Sequence, residues 1–329
     1  FPGSVKRFGK AEGLTLYWSR YNIITRAGEE FAILNPLSGN FDFFSNEEKQ
    51  AIDKIRGETG GTEQDPELAD YLKSRGYLLD SRADEERILR KKHLEFEMLT
   101  AETPTQILLV PTYGCNLACS YCFQKGVRDP GALITREVAD AFFSHIEAFH
   151  RDKPVRPFIT LFGGEPLVNS PAQREIISYI VGQAAVKGYE LAAVTNGYDL
   201  IDYVDVLRPA KIREIQVTVD GPREVHDTRR ATANGRGTFD RIMAGIDRAI
   251  EAGFPINLRV VLDRDNVGAL LPLAELLDQK DWLDLGPERF KTQIGRNYEL
   301  FECSISPQNL MPEVELWRAV TDLAAQHPV

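Results

Sequence analysis

No apolar run in this chain is long enough to cross a bilayer: the longest, "ALLPLAELL" at 269–277, is short and interrupted by Pro272 and Glu275. The opening "FPGSVKRFGK" lacks the apolar stretch that marks a secretory signal. Basic residues are outnumbered, 39 Lys and Arg against 49 Asp and Glu, and the net charge of -10 leaves no basic face for a phosphate backbone. Cysteine is scarce as well. Four in 329 residues, three of them crowded together, do not make a disulfide framework. The absences together predict a cytoplasmic protein, with neither nucleic acid nor membrane as partner, whose cysteines bind metal in the reduced state.

What is present is the composition of an ordinary globular protein, 43% hydrophobic and 27% charged, with room for about two or three domains. Residues 1–80 read as a small α+β unit. "LTLYWSRYNIITRAGEEFAILN" places strand-like runs on either side of a turn at Ala27 and Gly28. "SNEEKQAIDKIRG" is a helix capped by Ser45, with Glu48 closing a capping box. "PELADYLKSRGYLLD" opens on Pro66, sets Leu68, Tyr71 and Leu72 on one face, and stops at Gly76. Two strands, then helices and a short final strand, suit a winged-helix-like module. Residues 81–104 form a charge-rich connecting helix whose charges face solvent.

From residue 105 to 329 the pattern changes to strands alternating with helices. Apolar strands are expected at 106–110, 158–162, 190–195, 214–219, 256–262 and 290–294. Helical faces follow in Val138, Phe142, Ile146 and Phe149 after the cap Thr135, in Ile176, Ile180 and Ala184 before Gly188, and in Phe239, Ile242, Ile246 and Ile250 before Gly253. A last helix lies in "PEVELWRAVTDLAAQ". Buried strands joined by helices require an α/β fold with a parallel sheet, either doubly wound or a partial barrel. Chemistry in such folds collects at the carboxyl ends of the strands. The unusual residues fall there: the cysteines after the first strand, "GGEP" after the second, "TNG" at the end of the third, "DGP" after the fourth and "RDN" after the fifth.

Cys115, Cys119 and Cys122 occupy a loop with the spacing C-x3-C-x2-C. Three thiolates can grip three corners of a four-iron cube and leave the last iron open, and an open position is the mark of a catalytic metal centre. The alternative is a structural zinc ion with a remote ligand such as Cys303 or a histidine. "CNLACSYCFQ", with Tyr121 before its last cysteine, resembles the radical S-adenosylmethionine superfamily, and within it the SPASM/twitch subgroup that includes sulfatase maturases and ribosomal-peptide (RiPP) maturases. The resemblance covers residues 105–328. It implies a six-stranded partial (β/α)6 TIM-like barrel, a [4Fe-4S] cluster on the three cysteines, S-adenosyl-L-methionine at the open iron, and a flavodoxin or ferredoxin as electron donor.

The same resemblance gives roles to the other motifs. Gly163, Gly164, Glu165 and Pro166 look like the motif that receives the methionyl ammonium, with glycines admitting close backbone approach and Glu165 as a charge-assisted acceptor. Thr218 and Asp220 of "TVDG" resemble an S-x-D-G pattern near the ribose, with threonine in place of serine. "HDTRR" resembles H-D-x-x-R, so Arg230 can hold the cofactor carboxylate, with Arg229 as rival. His226 has no metal partner at ligand spacing and reads as structural. Asn196, and Arg259 or Asn266, face the adenosyl group or the substrate. The first 80 residues are similar to a winged-helix-like (RRE/PqqD-like) unit that recognises the leader of a ribosomal precursor peptide, by strand addition at a sheet edge. Cys303 is left over: a buried thiol, a hydrogen-atom donor, or a ligand to an auxiliary cluster. No cysteine follows it, so the further auxiliary-cluster ligands of the subgroup are missing. The expected activity is hydrogen abstraction from a ribosomal peptide, giving a crosslink or epimerisation. Sulfatase-maturase-like side-chain oxidation, small-molecule radical chemistry and a non-catalytic zinc-stabilised module are the alternatives.

Overall fold

The computed structural model describes residues 16–57, 65–124, 129, 131–297 and 309–326. The chain divides into two compact units, residues 1–103 and 104–329.

In the first unit, β1 (Tyr17–Trp18) precedes an antiparallel meander of β2 (Ile23–Ala27), β3 (Glu30–Asn35) and β4 (Asn40–Phe44). The sequence reading has two strands here, and the meander adds β4. That strand is hard to see because "NFDFF" turns Phe41 and Phe43 outward and buries only Phe44 against the core. Then come α1 (Asn46–Gly57), α2 (Pro66–Ser74), β5 (Leu78–Leu79), which pairs with β1, and α3 (Arg82–Glu102). The capping box forms as its residues dictate: Glu48 N–H donates to Ser45 Oγ at 3.2 Å and Ser45 N–H to the Glu48 carboxylate at 2.7 Å. On α2, Leu72 is fully buried but Tyr71 is exposed. The Tyr71 hydroxyl reaches back to Asp42 on β4, which also accepts from Tyr77 and Arg75. Nor is every charge of α3 solvated: Glu85 is fully buried, held by Ser19 Oγ at 2.8 Å and Arg20 Nε at 2.9 Å. That ion pair ties the first turns of α3 to the small domain.

The second unit runs β6 (Gln106–Leu109), α4 (Arg136–His150), β7 (Phe158–Leu161), α5 (Pro171–Lys187), β8 (Leu191–Thr195), α6 (Leu200–Leu207), β9 (Ile212–Thr218), α7 (Arg223–Arg229), α8 (Phe239–Glu251), β10 (Ile256–Leu262), α9 (Leu270–Asp278), β11 (Phe290–Arg296) and α10 (Glu313–Gln326). All six strands are parallel and neighbour one another in sequence order, β6 through β11. A doubly wound sheet reverses its order at a switch point, so the sequential order selects the partial-barrel alternative. The core is continuous from Leu109 to Leu316, with Ile159, Leu161, Ile215, Val217 and Leu258 on the strands. One helix faces differently from expectation. On α4 the buried residues are Ala139, Phe143 and Ile146, while Val138 and Phe149 stand in solvent. The small Ala139 gives the closer approach, and a periodicity count does not weigh side-chain size.

Candidate active site

Every strand of the second unit ends at one cavity of ≈ 310 Å³. The cysteine loop after β6 is fixed from below by Leu117, which is fully buried, and from the side by Ala118 N–H to Ala231 O at 2.8 Å and Ser120 N–H to Arg229 O at 3.0 Å. Cys115, Cys119 and Cys122 all line the cavity. Among the described residues no three His, Cys, Asp or Glu side chains converge on a point where they could hold a single ion.

The loop after β7 packs directly on the cysteine loop. Gly164 N–H donates to Thr112 O and Glu165 N–H to Gly114 O, at 3.0 and 2.8 Å. A Cβ on Gly163 would lie 2.3 Å from Thr112 O, and one on Gly164 2.2 Å from Gly114 O. The glycines are therefore required first by backbone-on-backbone packing, and only then by what enters the cavity they line.

Glu165 is placed otherwise than its motif suggests. Its carboxylate is fully buried, accepts from Thr195 Oγ1 at 2.6 Å, Asn196 N–H at 2.6 Å and Leu167 N–H at 2.8 Å, and is not on the cavity wall. Burial raises its pKa to about 7 against those three donors. Pro166 is buried beside it, also off the wall. Asp220 is likewise fully buried and accepts from Tyr121 Oη at 2.5 Å, Val261 N–H at 3.1 Å and Arg229 Nε at 3.4 Å. Both acids position other groups instead of meeting a ligand, because neighbouring strand ends offer them unpaired N–H donors.

The two arginines of "HDTRR" separate cleanly. Arg229 forks onto Asp263 with two bonds of 3.0 Å and is consumed in that ion pair. Arg230 lines the cavity and donates to Tyr121 Oη at 2.6 Å. Its Nε is buried with no hydrogen-bond partner. Burial disfavours its charge, but Cys119, Tyr121 and Asp220 outweigh that and raise its pKa well above the ordinary arginine value. Tyr121 lines the wall too, its own pKa raised well above normal, first by burial. His226 is neutral, its pKa lowered to about 3 by burial and the two arginines. Its Nδ1 accepts from Asp220 N–H at 3.2 Å, so Nε2 donates to Thr238 Oγ1 at 3.1 Å.

Asn196 and Thr218 line the cavity from the ends of β8 and β9. Asn196 Nδ2 donates to Asn116 in the cysteine loop at 2.7 Å. Of the fifth-strand pair, Arg259 lines the wall; Asn266 does not, its amide spent on Asp220 O, Val261 O and Asp263 N. Cys303 lies outside the described residues. Sequence reasoning missed Arg296 and Asn297, at the end of β11, and the apolar wall residues Phe162, Val194 and Val261. Asn297 follows the same rule as the other rim motifs, a polar residue directly after a strand, whereas Arg296 is the last residue of β11 itself.

A cradle with three thiols, a glycine turn pressed against them and a cation with an orphaned N–H fits a cluster and a carboxylate-bearing cofactor. Known proteins agree. The family model described as "Radical SAM superfamily" matches residues 109–277, just over half the chain. An AdoMet-dependent heme synthase of Methanosarcina barkeri is 31% identical over 168 residues, 50% of this chain and 44% of the relative. The mycofactocin maturase MftC of Mycobacterium ulcerans is 33% identical over 172 residues, 51% of this chain and 42% of that protein. The matched region thus spans about half the length of these curated relatives. Among solved structures, native anSMEcpe with bound AdoMet and Kp18Cys peptide superposes with a TM-score of 0.52 at 20% identity, covering 68% of this chain and 61% of that one, a likeness of fold. By its motif residues and this match, the chain belongs to the radical SAM superfamily, whose cofactors are a [4Fe-4S] cluster and S-adenosylmethionine.

Proposed function

We propose that this protein is a cytoplasmic radical SAM enzyme of the peptide-modifying subgroup, acting on a ribosomally made precursor peptide. The observation that carries the reading is that Cys115, Cys119 and Cys122, the Gly163–Gly164 turn and Arg230, from the loops after β6 and β7 and the end of α7, share one cavity. When bound, the cluster and S-adenosylmethionine supply a reductive cleavage that gives methionine and a 5'-deoxyadenosyl radical able to take a hydrogen atom from the substrate. The protein holds and shields. The three cysteines bind the cluster, and Arg230 pairs with the methionyl carboxylate through its unused Nε–H. With the Glu165 carboxylate occupied, the backbone at Gly163 and Gly164 is what remains to meet the ammonium. Thr218 and Asn196 offer a hydroxyl and an amide to the adenosyl half, while Phe162, Val194 and Val261 keep water out.

The domain of residues 1–80 is the winged-helix-like leader-binding unit of this reading, with residues 81–104 as the helix that leads to the barrel domain, residues 105–329. β4 is an edge of its sheet and carries the exposed Phe41 and Phe43, suited to pairing with an extended peptide. A flavodoxin or ferredoxin supplies the electron. The likeness to a mycofactocin maturase supports a peptide substrate. The test is anaerobic incubation of the reduced, cluster-loaded protein with a short peptide encoded beside its gene. A change in peptide mass together with 5'-deoxyadenosine, both dependent on an intact leader, is expected; equal turnover of the leaderless peptide refutes the role of the N-terminal unit.

A further inference from the structure

The cavity wall carries cationic side chains beyond the one assigned to the cofactor. Three guanidinium groups line it, Arg230, Arg259 and Arg296, and among the described residues no carboxylate does. Three thiolates and the oxidised cluster core nearly cancel, and S-adenosylmethionine brings one carboxylate against an ammonium and a sulfonium. Arg230 is the cation set among the cysteine loop and Tyr121 for that carboxylate. The other two arginines stand on β10 and β11.

Arg259 stands where a ligand is wanted. Its Nε is buried and has no hydrogen-bond partner, a costly state for a charged donor that faces nothing. The strand beside it is shaped for the guanidinium: a Cβ on Gly295 would sit 2.9 Å from Arg259 Nε. Arg296 donates one N–H to Met311 O at 3.2 Å and shares the same wall. Both arginines also line the adjoining hollow formed by Ile294, Leu316, the half-exposed Trp317 and one acid, Glu313. The pair therefore sits between the reaction cavity and a partly apolar groove.

We propose that Arg259, on the wall it shares with Arg296, anchors a carboxylate of the substrate, with the apolar flank of the anchored residue lying toward Trp317. A planar fork suits bidentate carboxylate recognition, and a buried guanidinium strengthens it. On the peptide reading above, on which the source of the carboxylate rests, it is either an acidic side chain or a free C-terminus.

Calorimetry on the anaerobic holoprotein saturated with S-adenosylmethionine tests the subsite without requiring turnover. The probes are N-acetyl-L-glutamic acid α-amide, which carries only the side-chain carboxylate, N-acetyl-L-alanine, which carries only a terminal one, and the uncharged N-acetyl-L-alanine amide. Saturable binding of one or both acids is expected, with no binding of the uncharged probe, and the acid that binds identifies the source. Arg259→Gln should weaken that acid at least tenfold, and Arg259→Lys by less, since it keeps the charge. In the complementary arm Arg230→Gln should weaken S-adenosylmethionine more than Arg259→Gln does. The proposal is overturned if the uncharged amide binds as well as the acids, if no acid binds saturably, or if Arg259→Gln costs cofactor affinity and leaves the acid untouched. A peptide that later fails as substrate leaves these binding results standing, so the two readings fail separately.

Discussion

Replacing Glu165 by glutamine probes whether burial or its three hydrogen-bond donors sets the ionisation of the acid in the Gly-Gly-Glu-Pro turn. In the folded chain its pKa is raised to about 7 from an ordinary 4.5, chiefly by burial. Below pH 4.5 the carboxyl is neutral in both states and contributes no pH dependence. Between 4.5 and 7 the unfolded chain gives up the proton and the folded chain keeps it, so stability falls as pH rises, by at most about 1.4 kcal/mol per unit. Across the whole window the loss comes to about 3 kcal/mol, complete above the folded pKa.

Glutamine abolishes that slope. It also turns an amide N–H2 toward Thr195, Asn196 N–H or Leu167 N–H, which costs about 1–3 kcal/mol, but this cost is independent of pH. The diagnostic quantity is therefore the wild-type minus variant difference in unfolding free energy, not either value alone. Urea unfolding of the metal-free chain under reducing conditions, at intervals from pH 4.5 to 8, supplies it. Trp282, buried in the second unit, reports the relevant transition. The difference should decline by about 3 kcal/mol toward alkaline pH. A flat difference, or one that grows with pH, would show that the three donors win over burial and that the carboxylate is held ionised.

Two other substitutions test the packing of the site. Gly164→Ala places a methyl 2.2 Å from Gly114 O and 2.4 Å from Tyr113 O, both backbone, so the cysteine loop must move. Iron content per chain should fall below half of wild type, whereas Gly182→Ala, in α5 with nothing within 4 Å, should leave the iron content intact and raise stability by about 0.5–1 kcal/mol. Tyr121→Phe removes the hydroxyl shared by Asp220 and Arg230 and should cost about 1–3 kcal/mol in chemical denaturation, a change under about 0.5 kcal/mol showing that the bridge is incidental.

The barrel was legible chiefly in β7, β8 and β10, which are buried on both faces and so read as nearly unbroken apolar runs: β10, "INLRVVL", has the same bounds in the sequence reading and the structure. β4 was not, because two of its three aromatics face solvent and its alternation resembles a polar loop. At the site, the positions of the motifs followed from strand ends, but the direction of each side chain did not. Whether Glu165 faces the cavity depends on Thr195 and Asn196, thirty residues on, and whether Arg229 or Arg230 is free depends on Asp263. Spacing carries no information about such distant partners. Arg296 carried no motif at all, and only the register Leu262 to Arg296 between β10 and β11 places it at the rim.

Those orientations share a cause that explains the charge of the cavity. Parallel strands leave N–H groups unpaired where the ladder stops, and a carboxylate is the strongest short acceptor for them. Glu165 ties the end of β7 to Asn196 after β8, and Asp220, just beyond β9, ties to Val261 on β10 and Tyr121 in the cysteine loop. Each acid that the motifs bring to the rim is thereby consumed in holding two neighbouring segments in place. The described residues that line the wall then include three arginines and three cysteines and no acid. On the proposals above, a rim braced by acids in this way keeps Arg230 and Arg259 for the carboxylates of cofactor and substrate.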